Sequence, residues 1–233
     1  MAGWRELARN VGCGIPGPGE TVRMGQSGKM RVCLVRPFWI LVLWVIPAMA
    51  EDPAPGFGEE DIRSLAGGGT LVLPRRPDEA PDRIDGRFVT TARYLKGSRE
   101  RIWETINDKE NAARFIDGVL ESKVIERREN HLLIEQRTRV GGPKGDYRYR
   151  LKYELSPMSQ VVFTYAGGEL KDVEGAWWIF DGPDRETFLV VYSLRIDAGF
   201  FAPQPVVRSG LKQSMPKTMD AIAREVALRE GAP

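Results

Sequence analysis

Residues 146–155, DYRYRLKYEL, place Tyr147, Tyr149, Leu151, Tyr153 and Leu155 at every second position, with Arg148, Arg150, Lys152 and Glu154 between them. A period of two predicts a strand with one charged face and one largely tyrosine face. Strand-like segments recur at 119–127, 131–140, 160–166, 173–181 and 186–196. Between them lie short runs rich in Gly, Pro, Asn, Asp and Ser, such as Gly167-Gly168 and Asp181-Gly182-Pro183. Such residues close hairpins, so the pattern predicts an antiparallel meander.

Ahead of the meander, residues 87–95 (RFVTTARYL) read as a strand with Phe88, Thr90, Ala92 and Tyr94 on one face. Ser98 is placed to cap a helix carrying Ile102, Trp103 and Ile106, and Asp108 to cap a second that ends at Asp117-Gly118. Behind the meander, Val207, Leu211, Met215, Met219, Ile222 and Val226 recur at three or four and predict one long C-terminal helix with an apolar stripe. Pro216 lies inside it and is expected to kink or split it. The class is therefore α+β: a curved antiparallel sheet around a long C-terminal helix, with two short helices after the first strand. Residues 51–85 make a leader containing a short helix (59–65), a short strand (70–73) and a Pro-rich loop (74–82). The main domain is expected over 86–229.

The first fifty residues change the picture. Arg31 and Arg36 precede an apolar run, Phe38 to Ile46, that is followed by Pro47-Ala48-Met49-Ala50. A basic flank, a short apolar stretch and a small-x-small ending predict a signal peptide over 30–50, cleaved near Ala50. The run falls well short of the roughly 20 residues a spanning helix needs, and an uncleaved anchor is the alternative. Residues 1–29 read as a mis-assigned or disordered extension, with translation expected to start at Met24 or Met30. The whole chain has 34 basic and 32 acidic residues. Residues 1–50 hold six of the former and two of the latter, so the mature protein would carry 28 against 30. That balance argues against a nucleic-acid surface. Both cysteines, Cys13 and Cys33, lie in the removed part, which leaves no thiol for a disulfide, nucleophile or metal site.

The order of elements resembles the START-like helix-grip superfamily (SRPBCC type), whose members include polyketide cyclases and coenzyme Q-binding START-domain proteins. The resemblance is carried by GSRERIWETINDKENAARFIDGVLESKVIERR, by EGAWWIF, and by SLRIDAGFFAPQPVVRSGLKQSMPKTMDAIAREVA, and covers roughly residues 86–228. These motifs specify fold better than function. The resemblance implies a cavity between sheet and terminal helix for an apolar small molecule or lipid. Tyrosine is a poor choice for a packed core, because each buried hydroxyl needs a partner, but it suits a cavity wall. Tyr147, Tyr149 and Tyr153, with Gln136 and Thr138 on the preceding strand, are the expected wall. Trp177, Leu211, Met215 and Met219 are added to it. Equally, the tyrosines could pack under the helix with their hydroxyls wetted at the sheet edge.

Trp177 and Trp178 must point to opposite faces, one toward the cavity and the other outward, where the N-terminal leader could cover it. Phe200 and Phe201, among Gly and Pro before the long helix, are candidates for a gate or a membrane contact. Arg137, Arg139, Arg148, Arg150 and Lys152 form an outward basic strip, read as an ordinary solvated face. His131, the one histidine, sits in a turn, and no nucleophile, metal or phosphate-loop motif is present. The reading is an exported, periplasmic carrier of a lipid, sterol, quinone or similar compound, with no cofactor and no catalytic residue. A polyketide cyclase or aromatase-like enzyme, or an interaction module with a filled core, are the alternatives. Oligomeric state is not legible.

Overall fold

A computed structural model describes residues 57–73, 87–139, 145–200 and 202–231. In chain order its elements are α1 (Glu59–Ala66), β1 (Leu71–Leu73), β2 (Val89–Lys96), α2 (Arg99–Asn107), α3 (Ala112–Phe115), β3 (Val119–Arg128), β4 (His131–Arg139), β5 (Asp146–Ser156), β6 (Gln160–Gly168), β7 (Asp172–Asp181), β8 (Thr187–Asp197) and α4 (Gln204–Glu230). The strands form one antiparallel sheet in the order β1-β2-β8-β7-β6-β5-β4-β3. Because β2 pairs with β8, α2 and α3 carry the chain across to the far edge, and the meander then returns strand by strand. The predicted signal peptide and residues 1–50 lie outside the described residues.

Alternation decides the faces. In β5 Tyr147, Tyr149, Leu151 and Tyr153 are buried while Arg148, Arg150, Lys152 and Glu154 are exposed. The inner face packs on α2 and α4 through the main core. Trp177 belongs to that core. Trp178 points the other way, into a second cluster with Phe57, Leu65, Ala92 and Val191, where α1 supplies Leu65.

The Ser98 Oγ caps α2, accepting from the Arg101 backbone N–H at 3.3 Å. The expected second cap is corrected: α3 starts at Ala112 behind Asn111, and Asp108 closes α2 instead. Its carboxylate accepts from the Asn111 amide side chain at 2.9 Å. The expectation of a split at Pro216 is also corrected, since α4 runs through it for 27 residues. An interior proline costs about 3 kcal/mol. Burying the six stripe side chains contributes on the order of 10 kcal/mol, so the helix survives it. On the outer face the basic strip is interleaved with acids. Arg148 bonds Glu121 and Glu135 at 2.9 and 3.1 Å, and Arg137 bonds Glu121 and Asp146 at 2.7 and 3.0 Å. It is a solvated mixed network rather than a positive surface.

Candidate functional site

The inner core is not filled. A cavity of about 160 Å³ lies between the concave face of β4–β8 and the three helices α2, α3 and α4. Its sheet side is an aromatic belt that crosses four strands. Tyr153 of β5 stacks on Phe163 of β6 at 5.3 Å, Phe163 reaches Tyr192 of β8 at 6.4 Å, and Tyr192 stacks on Trp177 of β7 at 3.9 Å with the rings 7° from parallel. Two glycines make this packing possible. A Cβ at Gly175 would lie 2.4 Å from the tip of the Phe163 ring, which crosses β7 there, and 2.3 Å from the Ser193 carbonyl. Gly168, at φ +128°, lets β6 approach Tyr149 so closely that a Cβ would meet its Cα at 2.4 Å.

Seven of the nine wall residues expected from sequence line this cavity: Gln136, Thr138, Tyr149, Tyr153, Trp177, Leu211 and Met215. Two are corrected. Tyr147 is 3% exposed and Met219 0%, and both pack in the core outside the lining. Tyr147 sits at the start of β5, one inward position beyond Tyr149. Met219 lies one turn past Met215, where α4 leaves no space against its neighbours. The polar tips are tied down: the Thr138 hydroxyl donates to the Tyr149 hydroxyl at 2.6 Å, and the Gln136 side-chain amide donates to Ser122 Oγ at 3.3 Å. Burial raises the pKa of Tyr149, Tyr153 and Tyr192 above the ordinary phenol value, so they remain neutral donors and acceptors.

Asp117, Arg139 and Ser214 both line the cavity and are exposed, which places its mouth between the α3–β3 corner, the end of β4 and the middle of α4. Phe200 is 94% exposed on the loop before α4 and does not line the cavity. Phe201 lies outside the described residues. His131 is exposed at the start of β4.

The sequence pattern does not single out Phe163, Tyr192 or Lys109. Lys109 follows α2 in a polar stretch that reads as a solvated turn, yet its side chain is buried in the cavity wall. Its Nζ donates to the Ile106 carbonyl at 2.6 Å and lies 4.6 Å from the centre of the Tyr153 ring. Burial pushes its pKa from 10.5 down to about 7, against the opposing pull of the adjacent Asp108 carboxylate. Burial would raise the pKa of Asp108, but hydrogen bonds from Arg229 and Asn111 outweigh it and hold the carboxyl below its usual range. The Arg229 contact, at 2.6 Å, joins the end of α4 to the turn that carries Lys109.

A family profile described as "Polyketide cyclase / dehydrase and lipid transport" matches residues 95–223, more than half of the chain. No curated protein matches. Among solved structures, the STAR-related lipid transfer protein from Xanthomonas axonopodis is similar at TM-score 0.54 and 11% identity, over 68% of this chain and 99% of that one. The Zhui aromatase/cyclase from a Streptomyces species is similar at TM-score 0.54 and 14% identity, over 61% and 94%. Human StAR-related lipid transfer protein 5 is similar at TM-score 0.54 and 13% identity, over 70% and 84%. At such identities the likeness concerns the fold, an open curved sheet gripping a C-terminal helix.

Proposed function

Because the chain belongs to the polyketide cyclase/dehydrase and lipid transport family, we propose that it is an exported carrier that holds an apolar small molecule or lipid between sheet and terminal helix. The observation that carries this reading is the cavity itself, with aromatic faces, a few satisfied polar tips and an opening to solvent. The apolar run at 38–46 with its small-x-small ending supports export to the periplasm.

Size narrows the cargo. A cavity of about 160 Å³ is close to the roughly 150 Å³ that holds benzene, and well below the roughly 300–1,000 Å³ of pockets for larger ligands. As it stands it takes one ring or a short acyl segment. A sterol, quinone or long lipid would require α4 to stand further off the sheet.

A second reading, a cyclase-like enzyme, is favoured by Lys109, whose amine titrates near neutrality inside the cavity and is of a type that transfers protons. One experiment separates the two. The precursor is expressed in a Gram-negative host, and the periplasmic protein is analysed by native and then denaturing mass spectrometry. A carrier should appear as a chain beginning at Glu51 with an apolar adduct that is released unchanged. Met215→Trp, which projects a much larger ring into the cavity from α4, should weaken or abolish the adduct while the chain stays folded. A released compound altered in mass from the one supplied would favour the enzyme. An empty wild-type protein that takes up no lipid, sterol or quinone would reject the carrier.

A further inference from the structure

Of the charged groups in the cavity wall, Lys109 is the buried one whose hydrogen-bonding capacity the fold leaves incomplete. An ammonium has three donors, and the Ile106 carbonyl accepts one. Among the described residues no carboxylate forms an ion pair with its Nζ. Asp108, its neighbour in the chain and also in the wall, is engaged by Arg229 and Asn111. The ring of Tyr153 from β5 lies against it, the neutral phenols of Tyr149 and Tyr192 line the same cavity, and from α4 Arg229 is held by Asp108 and Glu225. The Asp108 charge offsets only part of the cost of burying the ammonium, and an anion arriving with a ligand to accept the remaining N–H donors would supply what the protein does not.

We propose that Lys109 makes the cavity selective for an apolar carboxylic acid, whose carboxylate pairs with the Lys109 ammonium while its ring or short chain lies against the Tyr153, Phe163, Tyr192 and Trp177 belt. This deepens the carrier reading and rests on it. A single negative charge matches the site, because Lys109 is the only fully buried cation in the wall and Arg139 stands at the mouth. A dianionic phosphate head would be left short of donors. Since Lys109 titrates at about 7 in the empty protein, it is mostly neutral at about pH 8, and pairing with a carboxylate must draw a proton from solvent.

The test compares 4-ethylbenzoate with its neutral isostere 4-ethylbenzamide by isothermal titration calorimetry, in two buffers of different ionisation heat at about pH 8. Wild type and Lys109→Met, which keeps an unbranched apolar stem out to the ε carbon and removes the amine, are both measured. Wild type should prefer the acid by about tenfold or more and take up close to one proton per ligand. Lys109→Met should lose the preference and the proton uptake while still binding the amide, which also reports that the variant is folded. Equal binding of acid and amide by wild type, or an acid preference that survives in Lys109→Met, would overturn the inference and leave the carrier reading intact. If wild type binds neither probe, the inference is overturned, while the carrier reading stands or falls on its own mass-spectrometry test.

Discussion

Gly175 shows how one missing methyl group shapes the cavity. Phe163 lies across β7 only because there is no Cβ at 175, and through that crossing it reaches Tyr192. Gly175→Ala should therefore cost about 1–3 kcal/mol, lowering Tm and changing the near-ultraviolet circular dichroism of the belt. An unchanged spectrum would mean that the ring does not depend on the glycine. Lys109 acts in the opposite sense, as a residue that costs stability. Its pKa is about 7 in the folded protein against 10.5 as ordinary lysine, so between those values the unfolded chain binds more protons and stability rises with pH. Replacing a buried charge with an apolar side chain of similar volume often gains 1–4 kcal/mol. Lys109→Met should thus be the more stable protein near pH 7, on the order of that gain, with the difference shrinking toward about pH 10. Urea unfolding at the two pH values checks this, and a constant difference would contradict it.

At the scale of elements, the C-terminal end of α4 is what closes the helix side of the cavity. Glu230 accepts from the Ser98 backbone N–H and hydroxyl at 2.6 and 2.7 Å, while Arg229 bonds Asp108 at 2.6 Å and Glu225 at 2.8 Å. One end of α4 is thereby pinned to both ends of α2, and the stripe residues Leu211 and Met215 face the cavity between. Arg229→Met should cost about 1–3 kcal/mol at neutral pH. The lowered Asp108 pKa makes this contribution present above the ordinary carboxylate range and lost as acid protonates the folded group. The stability difference between wild type and variant should accordingly close in acid. A difference independent of pH would show that the ion pair is not its source.

For the molecule as a whole, the cavity mouth and the most exposed large apolar side chain among the described residues are in different places. Asp117, Arg139 and Ser214 mark the mouth, whereas Phe200 stands 94% exposed on the loop that leads into α4. A role for Phe200 in touching a membrane during exchange, separate from holding the ligand, predicts that Phe200→Ser slows transfer between vesicles without changing affinity or Tm. An unchanged transfer rate would reject the contact. The mixed charge network on the outer face of β3–β5 should add little attraction for anionic lipid, since its arginines already bond Glu121, Glu135 and Asp146.

The order of elements, the inward face of β5, the stripe on α4 and the Ser98 cap are legible in the residues alone, because these are periodic or local properties. The parity that sends Tyr149 and Tyr153 inward also divides Trp177 from Trp178. Parity says which way a side chain points and nothing about what stands opposite or how far away. The tertiary structure alone decided that Tyr147 and Met219 fall outside the wall, that Tyr192 stacks on Trp177, and that the space left is about 160 Å³. It also decided the state of Lys109. A lysine in a polar turn is ordinarily solvated. Here the fold lays the Tyr153 ring over its amine, and packing between elements distant in the chain, rather than any local pattern, turns it into a buried and titratable group.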